Sequence, residues 1–117
     1  MPISRFDRKL EILRFVIFLY GKLIQLAVRL EQQGIDTTDV RAREAQALQL
    51  IDALRADMRR DWHGSAAAVM RDLRDLNSTA QRKARELEQT VDKVGKLTDV
   101  LHTIDRAMKL VGGLMGR

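Results

Sequence analysis

The chain of 117 residues contains no cysteine, so it forms neither disulfide bonds nor metal sites built from thiolates. It has a single proline, Pro2, which lies outside every periodic segment. Strand patterns are also missing, because no run alternates apolar and polar residues between turn residues. Good helix formers (Leu, Ala, Arg, Gln, Glu and Lys) are abundant instead. These features predict an all-α protein, and the length predicts one helical domain over residues 1–117.

Charge of one sign does not dominate any part of the chain. The 21 basic and 16 acidic residues leave a formal net charge of +5, and the two signs are interspersed. A basic protein favours acidic partners, whether nucleic acid, anionic lipid or protein. The alternative is ordinary solubility charge dominated by arginine.

The first predicted helix covers residues 4–33. Ser4 followed by Asp7 resembles a capping box, and Gly34 is a typical helix stop. On a helical wheel, apolar residues cover more than half of the circumference, which is wider than the stripe of a solvent-facing helix. We therefore expect this helix to be buried on several sides. Its predicted packing residues are Phe15, Phe18, Leu19, Leu23 and Leu26.

The first helix is long enough to cross a bilayer, since about 20 apolar residues suffice. Arg14, Lys22 and Arg29 lie within that window, however, and each costs roughly 2.5–3.5 kcal/mol near the bilayer centre. A spanning helix is therefore not favoured, and charge within the apolar stretch is also untypical of a signal peptide. An interfacial helix is the alternative. We expect a cytoplasmic protein, with peripheral membrane association left open.

The second predicted helix covers residues 38–62 and begins after a turn in which Thr37 or Thr38 serves as cap. Its apolar residues lie on one face, as in an ordinary amphipathic helix. The apolar phase then slips by about one residue near Gly64. A kink and a continuous helix both fit that slip.

A heptad pattern begins at Trp62 and ends at Val111. Alternating steps of four and three residues meet apolar side chains at 13 of 15 positions. The overall composition predicts about seven, so the pattern indicates left-handed, coiled-coil-like packing of a third helix over residues 65–111. Lys83 and Thr90 interrupt the pattern; they either fix register, mark the end of a partner helix or reach outward. The predicted packing residues are Leu73, Leu76, Leu87, Val94, Leu97, Leu101, Ile104 and Met108.

A turn signal lies inside this third helix. Asn77 and the two residues after it are of types that favour turns, and Ser78 followed by Gln81 resembles a capping box. A helix hairpin at this point is one interpretation. The heptad phase continues through it unbroken, which favours a continuous helix. Residues 112–117 are expected to fray.

The sequence contains no recognised catalytic, metal-binding or phosphate-binding motif. The two histidines, His63 and His102, are far apart, and neither forms a recognised metal-ligand pair with a carboxylate or with a second histidine. Phosphate-binding glycine loops and nucleophile elbows do not occur. We therefore expect a protein that is not an enzyme, with no catalytic residues, cofactor, metal or small-molecule substrate.

Two arginine-rich clusters are candidate phosphate contacts for a nucleic-acid backbone. Aromatic side chains that stack on bases are nearly absent near them, apart from Trp62, and acidic residues dilute both clusters. The sequence contains no helix-turn-helix or other recognised nucleic-acid-binding motif. The candidate contacts are Arg55, Arg59, Arg60, Arg71, Arg74, Arg82 and Arg85.

These patterns together predict an elongated antiparallel bundle or coiled-coil hairpin of three helices, about residues 4–33, 38–62 and 65–111. The long third helix either packs beneath the other two or pairs with another chain. Surplus apolar surface makes a non-catalytic interaction or scaffold subunit the main expectation, one that self-associates or docks in a larger assembly. A membrane-binding or membrane-inserting helical protein is the first alternative. A subunit that contacts a nucleic-acid backbone is the second.

Overall fold

The computed structural model describes residues 5–58, 62 and 65–116. These residues form four helices: α1 (Arg5–Gln32), α2 (Thr38–Ala56), α3 (Ala66–Gln89) and α4 (Lys93–Leu114). No strand occurs in the ranges 5–58 and 65–116, and the predicted all-α class is confirmed. The predicted count of three helices is wrong, because the segment expected to form the third helix contains two.

The turn between α1 and α2 follows from Gly34. This residue has a φ of +74°, a conformation that glycine adopts without steric cost. The amide of Gly34 donates to the carbonyl of Glu31, and the amide of Ile35 donates to that of Leu30. This pairing is a Schellman motif, which closes a helix and satisfies its last carbonyls. Gly34 therefore ends α1 as the sequence predicts.

The start of α2 differs in detail from the prediction. Thr37 occupies the cap position but makes no capping bond with its side chain. Its hydroxyl instead donates to the Glu31 carboxylate over 3.0 Å. Asp36 supplies the local acceptor, since its carboxylate oxygen lies 3.0 Å from the Thr38 amide and 2.7 Å from the Thr38 hydroxyl. The side chain that stabilises this helix start is thus an aspartate one residue earlier than expected.

The unpredicted break lies at residues 90–92. Thr90 has an extended backbone, with φ −98° and ψ 152°, and its hydroxyl oxygen accepts from the Asp92 amide. Asp92 then caps α4, because its carboxylate accepts from the Gly95 amide over 3.0 Å. Thr and Asp compete with helical hydrogen bonding through their own side chains, which explains why the helix stops here. Val94, expected in the heptad seam, is 74% exposed as a result.

Other helix ends also shift. α2 ends at Ala56, whereas the prediction extended it to residue 62. Ser65 caps α3, since its hydroxyl accepts from the Ala68 amide, and α3 then continues through Asn77 as expected. α4 ends at Leu114, three residues beyond the predicted end, and Leu114 is buried. Fraying of the final residues in solution stays a prediction. The predicted cap at Ser4 and the phase slip at Gly64 lie outside the described residues.

The four helices pack as two antiparallel hairpins. α1 and α2 form one hairpin, α3 and α4 form the other, and the two meet through α1 against α3 and α2 against α4. An ion pair between Arg43 of α2 and Asp105 of α4 joins the hairpins. The fold measures 46 × 24 × 21 Å, so it is shorter than the roughly 70 Å of a continuous third helix. Its core includes Ile12, Val16, Leu23, Val40, Leu54, Leu73 and Val111.

Lys83, which interrupts the heptad pattern, has a partner within the chain. Its ammonium group donates to the hydroxyl of buried Thr103 on α4, over 3.4 Å. The Thr103 hydroxyl in turn donates to the carbonyl of Asp99. Lys83 therefore contacts the facing arm of its own hairpin, and Thr90 marks the end of α3.

Candidate interaction surfaces

A cleft of about 350 Å³ lies where α1, α3 and α4 meet. Its floor is apolar and consists largely of core side chains. Leu23, Val100 and Ile104 are each at most 5% exposed there. The apolar lining comprises Leu19, Leu23, Leu26, Ala80, Ala84, Val100 and Ile104.

The rim of this cleft is polar and basic. Lys22 and Arg29 contribute from α1, and Arg85 contributes from α3. Three amide side chains, Gln25, Asn77 and Gln81, complete the rim, and among the residues whose side chains are described no aspartate or glutamate lines the cleft. Lys22, Arg29 and Arg85 are all exposed, so solvent partly screens these charges.

Short side chains on α3 open the cleft. Ala80 and Ala84 are four residues apart and therefore lie on the same face of the helix. Both line the cleft opposite leucines of α1. Larger residues at these positions would fill the space between the helices. The heptad pattern includes Ala80 as an apolar position, but only the docking of the two hairpins turns its small size into a cleft.

Phe18 lies beside this cleft. It is 42% exposed and precedes Lys22 by four residues, so the two side chains share one face of α1. The Lys22 ammonium group lies 5.4 Å from the centre of the Phe18 ring, within the range of a cation–π contact. An exposed aromatic ring thus extends the apolar surface past the basic rim.

A second surface is the outer face of the α1–α2 hairpin, defined by Ile17, Val28 and Leu48. These three side chains are 41%, 42% and 44% exposed. Val28 lies three residues before Glu31, and Leu48 lies seven residues after Arg41, so helical periodicity places them on the side where Glu31 and Arg41 meet. Half-buried Tyr20 and Ile24 share that side of α1.

An ion-pair network lies at one end of the outer face. Arg41 contacts Glu31 over 2.9 Å and Glu44 over 2.8 Å. The hydrogen bond from Arg41, with a second from Thr37, lowers the pKa of Glu31. The hydrogen bonds of Arg41 to Glu31 and Glu44 raise the pKa of Arg41. This end of the outer face therefore keeps one net negative charge, from two carboxylates and one guanidinium group.

The predicted phosphate contacts are only partly brought together. Arg71, Arg74, Arg82 and Arg85 are exposed and share one strip of α3, which spans about 21 Å. Arg74 lies 3.6 Å from Glu11 of α1. Arg55 is exposed on α2, away from that strip, and Arg59 and Arg60 lie outside the described residues.

The predicted packing residues divide by burial. Most lie inside the core of this chain, and Leu26, Leu76 and Met108 are half-buried against it. Phe18 and Val94 are exposed, so for these two a packing role stays a prediction that requires another molecule. The buried members are Phe15, Leu19, Leu23, Leu73, Leu87, Leu97, Leu101 and Ile104.

A broader groove lies between the start of α3 and the end of α4, with a volume of about 1020 Å³. Asp72 and Asp75 line it from α3, and Arg106 and Lys109 line it from α4. Sequence reasoning did not identify this groove, because the two walls become neighbours only through the break at residues 90–92.

No group of three or more His, Asp or Glu side chains that could hold a metal ion occurs among the described residues. His102 is exposed on α4, and His63 lies outside the described residues. Among the four described helices, none has the combination of length and apolar character needed to cross a bilayer. Comparisons with protein-family models, curated proteins and solved structures find no match for this chain.

Proposed function

We propose that this protein is a non-catalytic helical interaction subunit that self-associates through the outer face of its α1–α2 hairpin. The observation that carries the proposal is the exposure of Ile17, Val28 and Leu48 on one side of two packed helices. Scattered apolar residues are normal on a protein surface, but a contiguous apolar patch is typical of an interaction site. Burial of such a patch is the main driving force of association.

Charge complementarity supports a second copy of the chain as the partner. The end of the outer face near the α1–α2 turn carries the net negative Glu31–Arg41–Glu44 network. The opposite end carries the exposed Arg14, Asp52 and Arg55, which give one net positive charge. Two copies related by a twofold axis and running antiparallel place each negative end opposite a positive end. Twofold pairing is also the commonest symmetry of protein oligomers.

Sedimentation velocity from 1 to 100 µM tests this proposal. We expect a concentration-dependent dimer for the native chain and a monomer for Leu48→Glu, because a charge at that position has to be desolvated in the dimer. Val94→Glu is the matched control: Val94 is 74% exposed but lies outside the outer face, so this variant keeps the dimer. Circular dichroism verifies that both variants fold.

Two results would contradict the proposal. One is a native chain that stays monomeric throughout the concentration range. The other is a dimer whose dissociation constant does not change in Leu48→Glu. A native chain that is monomeric alone but retained by vesicles favours the membrane alternative instead.

The arginine strip of α3 supports a second candidate function, contact with a nucleic-acid backbone. Exposed arginines that follow one helix can neutralise phosphates without reading sequence. Affinity for a single-stranded oligonucleotide should then fall steeply as salt rises, and Arg71→Gln with Arg82→Gln should reduce that slope. No binding at 50 mM salt would exclude this function.

A further inference from the structure

We propose that the groove between α3 and α4 binds an amphipathic helix of a partner protein, one with a basic edge and an acidic edge beside its apolar stripe. The described lining of this groove comes from Ser65, α3 and α4. The outer face of the α1–α2 hairpin is formed by other helices, so self-association leaves the groove open. Each chain of the proposed dimer therefore offers one such site, and binding to it does not require the dimer.

The floor of the groove is apolar. Val69 and Leu76 contribute from α3, and Leu110 and Leu114 contribute from α4. Leu114 is buried, whereas the other three are only half-buried and keep apolar surface that a ligand can cover. Burial of such surface is favourable because it removes apolar area from water. The lining of α4 runs from Arg106 to Leu114, about 12 Å along the axis, so the groove is as long as about two turns of a helix.

The two walls of the groove carry opposite charges. Asp72 and Asp75 line it from α3, and Arg106 and Lys109 line it from α4. All four side chains are exposed, and within the described part of the chain none of them forms an ion pair. A ligand of one charge sign is attracted by one wall and repelled by the other. The groove therefore favours a ligand with charges of both signs over a nucleic acid or a fatty acid.

The opposite charges lie nearly level across the groove. Lys83 of α3 contacts Thr103 of α4, which sets the register of the hairpin. Asp75 lies eight residues before Lys83, and Lys109 lies six residues after Thr103. At about 1.5 Å per residue, the heights of Asp75 and Lys109 along the hairpin differ by about 3 Å. A ligand helix at this level therefore has a negative wall on one side and a positive wall on the other.

The groove suits a helix better than an extended peptide. A helix satisfies its own backbone hydrogen bonds, whereas an extended chain leaves amides and carbonyls unpaired against an apolar floor. A further helix beside two packed helices also reproduces ordinary bundle packing, with axes about 8–10 Å apart. Its apolar side chains at i, i+4 and i+7 then contact the floor, as in other helix-in-groove complexes. Its basic edge faces α3, and its acidic edge faces α4.

Fluorescence anisotropy with three labelled synthetic helices tests the charge requirement. All three peptides share one leucine stripe and one hydrocarbon bridge that holds them helical. The mixed peptide has lysines along one edge of the stripe and glutamates along the other. Glutamine replaces the glutamates in the lysine-only peptide and the lysines in the glutamate-only peptide. In 150 mM salt, which screens the net charge of the chain, the mixed peptide should bind about fivefold more tightly than either control, because each control loses two exposed ion pairs.

Neutralising one wall tests which wall faces which edge. Asp72→Asn combined with Asp75→Asn removes the acidic wall, so the mixed peptide should lose its advantage over the glutamate-only peptide. Its advantage over the lysine-only peptide should remain, because the basic wall is intact. Asp39→Asn combined with Asp99→Asn is the matched control. It changes the net charge equally at exposed positions outside the groove lining and should leave both preferences unchanged.

A filling substitution tests the location. Gly113 lines the groove, and a Cβ atom at this position meets no atom within 4 Å. Gly113→Leu should therefore fill part of the groove and weaken binding of the mixed peptide by about tenfold or more. Gly113→Ala is the control at the same position and should change binding by less than about twofold. Both variants replace a helical glycine with a better helix former, and circular dichroism verifies that they fold.

Three results would overturn the proposal. The mixed peptide does not bind the native chain, the three peptides bind with equal affinity, or Gly113→Leu leaves binding unchanged. NMR shifts that the mixed peptide induces at residues 69–76 and 106–114 would support it. The mixed peptide should bind Leu48→Glu with native affinity, so a failure of the groove and a failure of the dimer are distinguishable.

Discussion

The ion pair between Arg43 and Asp105 allows a quantitative test of how the two hairpins dock. The Arg43 Nε lies 3.1 Å from one carboxylate oxygen of Asp105, and Nη2 lies 3.0 Å from the other. This bidentate geometry is the strongest arrangement of the two groups. The two residues are 62 positions apart, so their contact exists only if α2 and α4 meet in this register.

The expected coupling free energy between Arg43 and Asp105 follows from the exposure of the two side chains. The side chains of Arg43 and Asp105 are 23% and 38% exposed, so solvent screens part of their attraction. Exposed ion pairs contribute about 0.2–1 kcal/mol, and hydrogen bonds to charged groups contribute about 1.5–3 kcal/mol. The partly exposed bidentate pair should therefore show a coupling free energy of about 1 kcal/mol.

A double-mutant cycle measures this coupling. The free energy of unfolding in urea is determined for the native chain, Arg43→Gln, Asp105→Asn and the double variant. The coupling should also decrease in 1 M salt, because screening is then effective over a few ångströms. A coupling near zero at low salt would contradict the expected contribution of the Arg43–Asp105 contact. Arg43→Gln with Asp52→Asn, a pair without a mutual contact, is the control and should be additive to within about 0.5 kcal/mol.

Three further predictions concern stability. Leu73→Ala removes a fully buried side chain and should lower the free energy of unfolding by about 2–5 kcal/mol, measured in urea, whereas Val94→Ala at an exposed position should have little effect. Asp92→Ala removes the cap of α4 and should cost about 1 kcal/mol, and Asp92→Ser should restore most of it. Hydrogen bonds lower the pKa values of Glu31 and Glu86, so their stabilisation is present above the unfolded value near 4.5 and is lost as pH falls below it. Replacing both with glutamine should therefore reduce the loss of stability between pH 6 and pH 3, and an unchanged pH profile would contradict this assignment.

The all-α class followed from composition and periodicity, and so did the Schellman stop at Gly34. These features depend on interactions between near neighbours in sequence, which a single sequence reveals. The continuous helix through Asn77 was predicted from the same periodicity, because the heptad phase continues across the turn signal there.

The break at residues 90–92 was missed because the heptad pattern continues across it. Both arms of an antiparallel hairpin present an apolar face to the other arm, and here the two faces share a phase. The signals of the break were local: Thr90, Val91 and Asp92 combine two β-branched residues with a strong helix cap. The regular heptad spacing outweighed them.

The candidate sites were predictable only in part. The basic strip of α1 that contains Lys22 and Arg29 could be read from a helical wheel. Its position opposite Ala80 and Ala84 depends on how the two hairpins dock, a contact between residues more than 50 positions apart. Periodicity contains no information about such a contact, so the cleft could not be predicted from the sequence.

The fold-back of α4 onto α3 underlies both the cleft and the groove, and one distance measurement tests it most directly. Because the chain contains no cysteine, spin labels can be attached at Asp75→Cys and Lys109→Cys alone. Both positions line the same groove, and adjacent helix axes lie about 8–10 Å apart. Pulsed electron–electron double resonance should therefore give a distance below about 25 Å between the two spin labels. A distance near 50 Å, which 34 residues span in one straight helix at about 1.5 Å each, would contradict the fold.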